Sequence, residues 1–68
     1  MILSEMRVGE QAVLLALPPL CLPGLLTPGK RISLVLRRRG IAVIEVGGIG
    51  LALSDALADR IVVVRAPT

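Results

Sequence analysis

The sequence predicts an all-β (mainly β) chain, a small five-stranded antiparallel barrel with one or two single-turn helices. Three observations point there. Five short runs rich in Val, Ile and Leu are separated by Gly- and Pro-containing turn signals. The helical signals extend over single turns only. The length, 68 residues, allows one small core and leaves no room for a second domain.

The elements follow in chain order. Leu3-Ser4-Glu5-Met6-Arg7-Val8-Gly9-Glu10 reads as a short opening segment, kept at the surface by its polar residues and ended by a turn at Gly9. Gln11 to Leu17 is an apolar run bounded by Gly9 and Pro18-Pro19, and is read as the first strand. Between Pro18 and Leu26 the leucines have near-helical spacing, but the prolines forbid a normal helix interior, so at most one or two turns fit. Thr27-Pro28-Gly29-Lys30 is a turn in which Pro presets φ and Gly supplies a positive φ.

Lys30 to Arg37 alternates most clearly, with Ile32, Leu34 and Leu36 on one face and Arg31, Ser33 and Arg37 on the other. Arg38-Arg39-Gly40 turns the chain into a strand from Ile41 to Val46, giving a hairpin with a basic tip. Gly47-Gly48 turns it again into Ile49 to Leu53, with Leu51 and Leu53 inward. Ser54 is placed to cap a helical turn over Asp55 to Asp59, and Ile61 to Val64 is the closing strand. Closure has a motive: an open sheet made of Val, Ile and Leu would present edges that invite pairing with other chains. The core is expected to be aliphatic throughout.

Composition excludes several classes of function. Hydrophobic residues make up 54% of the chain, which is incompatible with intrinsic disorder. There is no His, hence no His-based triad and no imidazole metal ligand. Cys21 is the only thiol, so neither a zinc site built from Cys and His nor an internal disulfide can form. The absence of Phe, Trp and Tyr removes base-stacking platforms and the aromatic grooves that read proline-rich peptides. These exclusions leave an interaction module, with no enzyme activity and no cofactor expected. The uncharged stretch from Gln11 to Gly29 is interrupted by Pro18, Pro19, Pro23 and Pro28, which argues against a membrane-spanning helix. Glu5 and Glu10 precede it together with Arg7, so there is no basic leader of a signal peptide, and a cytoplasmic location is expected.

Candidate contact residues form two groups. Arg37, Arg38 and Arg39 are the densest charge cluster, suited to docking on an acidic surface, or equally to keeping a hydrophobic barrel solvated. Without aromatics or a reading helix they offer nucleic acid only non-specific affinity. Leu20, Leu22, Leu25 and Leu26 crowd a proline-rich loop, either as an exposed patch for a partner or a second copy, or as a lid on the barrel. Cys21 beside them reads as a small apolar filler, with a soft-metal or redox role as the alternative. Glu45, Asp55 and Asp59 carry oxygen donors that surface charge alone explains. Gly47-Gly48-Ile49-Gly50 lacks the helix and Lys-Ser/Thr ending of a phosphate loop and is read as a turn.

Taken together, Leu3-Ser4-Glu5-Met6 with Gly9-Glu10, then Leu26-Thr27-Pro28-Gly29, the strand Arg31 to Leu36, Gly50-Leu51-Ala52-Leu53, and Ala58, Ile61, Val63 and Val64 resemble the FeoA family. The order and spacing of these pieces over residues 3 to 64 carry the resemblance. It implies an SH3-like barrel and a non-enzymatic accessory or regulatory role in ferrous iron uptake, by contact with the cytosolic side of the FeoB-type transporter, a membrane GTPase. A related domain lies at the C-terminus of iron-dependent repressors, so a stand-alone regulatory domain is one alternative and a self-associating structural module another. A chain from Met1 to Thr68 fits a free-standing member. Family members usually carry a basic helix before the Pro-Gly turn, with a Leu-Gly pair near its end. Here Pro18 to Leu25 is uncharged and Gly24 is displaced, so that helix is expected to be shortened or distorted, with docking by apolar contact or by another surface.

Overall fold

Five strands form one antiparallel sheet in the order β4-β3-β2-β1-β5, with β1 at Gln11–Ala16, β2 at Arg31–Arg38, β3 at Ile41–Val46, β4 at Ile49–Ser54 and β5 at Val62–Arg65. The computed structural model describes residues 1–18 and 26–66. One four-residue helix, α1 (Asp55–Ala58), links β4 to β5. This is the small SH3-like arrangement, and each sequence-predicted strand lies within a residue or so of its expected place. β4 and β5 do not pair with each other, however, so the expected closure of the edges is not reached and the sheet keeps two outer strands. The expected turns in residues 18 to 26 fall almost entirely outside the described residues.

Alternation dictates which side of each strand packs inward. Ala12 and Leu14 of β1, Ile32 and Leu34 of β2, Ala42, Ile44 and Val46 of β3, Leu53 of β4 and Val63 of β5 are buried in one cluster with Ile61 and Ala58. Among the described residues no polar or charged residue is buried, so no desolvated polar group opposes the packing. Leu51 is inward as expected but only half-buried.

The turns obey their residue types. Gly29 (φ 93°) follows Pro28, and Lys30 N donates to Thr27 O at 3.1 Å, closing the predicted turn. Gly47 (φ 57°) and Gly48 (φ 84°) form the two-residue loop between β3 and β4, the mirror-image turn whose twist suits a hairpin. Ser54 Oγ accepts from Leu57 N at 3.2 Å and caps α1.

Two expectations are corrected. The opening segment is not a surface strip: Leu3–Glu5 forms a single 3-10 turn, and Leu3 and Met6, three residues apart, fall on the same side and are both buried in the core. Leu36 does not join Ile32 and Leu34, and is 41% exposed. The cause is a bulge: Leu34 is opposite Ile44, while Leu36 is opposite Val43, so Val35 is an extra residue in β2 and every side chain beyond it changes face.

Candidate functional site

The β2–β3 hairpin carries the basic cluster, and the bulge at Val35 decides how it is displayed. Past the bulge, Arg37 is opposite the buried Ala42, on the core side of the sheet, and its side chain is exposed. Its Nη2 donates to the carbonyl of Ser4, tying the hairpin to the 3-10 turn. Arg38 is opposite Ile41 on the outer face, and Arg39 sits in the turn, where Gly40 supplies a φ of 71°. Among the described residues neither the Arg38 nor the Arg39 side chain has a hydrogen-bond or ion-pair partner. The cluster therefore divides: all three arginines are exposed, but Arg37 is bonded to the 3-10 turn, while Arg38 and Arg39 project their guanidinium groups without a partner among the described residues.

The surroundings of those two arginines are mixed. Across the outer face, Arg38 continues to Ile41 and Ser54, and the next row is Leu36, Val43 and Ala52. Leu36 and Ile41 are exposed, so aliphatic surface adjoins the charge. Asp55 N donates to Gly40 O at 2.9 Å, which sets the first residue of α1, an acid, beside the basic turn. Two forked donors over an aliphatic patch suit a carboxylate-bearing surface with apolar side chains between its acids.

The other basic residues are placed differently. Arg31 Nη1 donates to Gln11 Oε1 at 3.1 Å, and Arg65 Nε pairs with Glu10 Oε2 at 3.1 Å. The first joins β2 to β1, and the second joins β5 to the turn before β1. Glu10 also accepts from Arg7 N at 2.7 Å, so its carboxylate closes the turn before β1. Leu20, Leu22, Leu25 and Cys21, the other candidate contacts, lie outside the described residues. Leu26, next in the chain, is buried in the core. Glu45, Asp55 and Asp59 do not converge, and no group of three His, Cys, Asp or Glu side chains suited to a metal ion occurs among the described residues. Among those residues, too, no helix is long and apolar enough to cross a membrane.

Sequence reasoning placed the three arginines together but did not separate Arg37, which bonds to the 3-10 turn, from Arg38 and Arg39. The missing signal is the bulge, which alternation alone does not mark. The roles of Leu3 and Met6 were open to detection, because their spacing matches the three-residue period of a 3-10 turn.

Neither a protein-family model nor a curated protein matches the chain. Among solved structures, it is similar to a crystal structure described as iron uptake regulatory protein (FeoA), with 32% identity over 96% of this chain and 93% of that one and a TM-score of 0.82.

Proposed function

The chain belongs to the FeoA family, and from that premise we propose that it serves ferrous iron uptake as a non-enzymatic accessory protein in the cytoplasm, contacting the cytosolic side of a FeoB-type membrane GTPase. The observation that carries this reading is the near end-to-end match to a protein described as an iron uptake regulator, at an identity and TM-score that extend beyond a shared barrel.

The contact surface is assigned to the basic turn. Arg38 and Arg39 are exposed and unpaired among the described residues, with Leu36 and Ile41 beside them. Charges at the rim of a contact act mainly on the rate and salt dependence of association, while adjoining apolar groups hold the complex. Leu20, Leu22 and Leu25 remain candidates for a second, apolar part of the contact. The iron is cargo of the transporter in this scheme, and the chain acts by protein contact.

The test is a capture experiment with the tagged chain as bait in detergent-solubilised membranes of its source, alongside an Arg38→Glu/Arg39→Glu variant. The parent is expected to retain a membrane GTPase, identified by mass spectrometry, and the variant to lose most of it while keeping its circular-dichroism melt. Capture of a soluble DNA-binding regulator instead would move the chain to the class of stand-alone regulatory domains. Equal capture by parent and variant would remove the basic turn from the contact.

A further inference from the structure

The two outer strands of the sheet are finished differently. Along β5, residues 1 to 3 supply a partner: Ile2 bridges Val62, Val63 N donates to Met1 O at 2.7 Å, and Leu3 N donates to Ile61 O at 2.8 Å. Along β4 no such partner occurs among the described residues. The register fixes which groups are left over. The two-residue loop Gly47-Gly48 makes Val46 and Ile49 a hydrogen-bonded pair, so Ile49, Leu51 and Leu53 direct their amides and carbonyls at β3. Gly50 and Ala52 direct theirs outward, as does the Ser54 amide, while the Ser54 carbonyl, at the N-cap of α1, belongs to the helix.

Natural edge strands are protected by charge, Pro or bulges. The strand Ile49–Ser54 contains none of the three: its residues are Ile, Gly, Leu, Ala, Leu and Ser, and its pairing to β3 runs without a register shift. Ile49 is 49% exposed at its start.

We propose that β4 pairs antiparallel with β4 of a second copy of this chain, about a twofold axis at Ala52, to make one continuous sheet. The edge is self-complementary there. Ala52 exchanges both hydrogen bonds with its symmetry mate, and the Ser54 amide of each copy donates to the Gly50 carbonyl of the other. The outer row Leu36, Val43 and Ala52 then continues into the same row of the second copy. Charge agrees with this orientation. No residue of β4 is charged, and on the outer face Arg38 lies in the row of Ser54 and Glu45 in the row of Gly50. Arg38 lies two strands in from the edge and Glu45 one, so no like charges face each other across it, and the twofold keeps the two basic turns apart at opposite ends of the pairing. A six-residue edge falls short of the roughly 1,200 Å² of a standard interface, so the dimer is weak and depends on concentration. This inference rests on the sheet alone and stands or falls apart from the transporter reading.

Sedimentation equilibrium over a concentration series tests it. The parent is expected to rise from 7.1 kDa toward twice that mass. Ala52→Lys, a charge on the exposed face of the edge that leaves the β3 ladder intact, is expected to remain monomeric with an unchanged melt. Val64→Lys, on the outer face of β5, is expected to dimerise as the parent does. A parent that stays monomeric throughout, or an Ala52→Lys variant that still dimerises, overturns the proposal. A variant-free readout accompanies it: amide signals of Gly50, Ala52 and Ser54 shift with concentration while those of Leu3 and Val63 do not. Shifts confined to other residues overturn it equally.

Discussion

The β5 edge and the β4 edge belong to one sheet and are both built from aliphatic residues, yet the chain treats them in opposite ways. At β5, a turn containing Leu3 folds back, hydrogen-bonds along the strand and inserts Leu3 and Met6 into the core. At β4, Gly50, Ala52 and Ser54 carry side chains too small to cover the backbone behind them. The difference teaches that edge protection in so small a barrel comes from chain supplied by another part of the sequence. Strand composition is not enough. It also separates two duties: β5 and its cover hold the fold, and β4 with the neighbouring basic turn faces outward.

The largest test of that division is Leu3→Ala. Leu3 is fully buried, and truncating a buried Leu costs about 2–5 kcal/mol, so the denaturant midpoint should fall sharply and leave the chain close to unfolding. A loss below about 1 kcal/mol would break the comparison, because the cover over β5 would then be dispensable. A smaller effect is expected from Gly48→Ala. At a φ of 84° a side chain is strained, and a cost of about 1–2 kcal/mol in thermal unfolding is expected. An unchanged melt would show that the β3–β4 loop does not set the register of the β4 edge.

Ser54→Ala removes the hydroxyl that accepts from Leu57 N where β4 gives way to α1. The expected loss is about 1 kcal/mol, measured by urea unfolding, and partial recovery in Ser54→Asp would identify it as capping. The smallest effect belongs to Arg65→Met. Its ion pair with Glu10 joins β5 to the turn before β1, but Arg65 is 72% exposed, so the loss should be under about 1 kcal/mol and should vanish in high salt. A larger, salt-independent loss would mean that Arg65 acts through the packing of its stem.

Much of this molecule was legible in its residues. Lys30 to Arg37 and Ile41 to Val46 alternate cleanly because each has one buried face, and Pro28-Gly29, Arg39-Gly40 and Gly47-Gly48 are turn signals with a mechanism. What escaped was local irregularity. The register shift around Val35 adds one residue to β2, and nothing about a valine between two leucines announces an unpaired position. That one residue sends Leu36 to the outer face and Arg37 to the face of Ala42, within reach of the Ser4 carbonyl, so the three adjacent arginines are displayed in two different ways. A second shift, between Leu14 and Ala16, in the same manner turns Ala16 to the exposed side, opposite Val62. Leu3 and Met6 were obscured by the polar residues around them, because polarity was weighed ahead of spacing. The order of strands sets which edge is covered, and that depends on pairings between residues far apart in sequence.

The contrast between the edges can be read directly by amide hydrogen exchange, residue by residue, at a low and a high concentration of the intact chain. Leu3 and Val63 amides, bonded across the β5 edge, should be protected at both concentrations, while Gly50 and Ala52 should exchange freely when dilute and slow down when concentrated. Protection at Gly50 and Ala52 already complete in dilute solution, or fast exchange at Leu3 and Val63, would contradict the account.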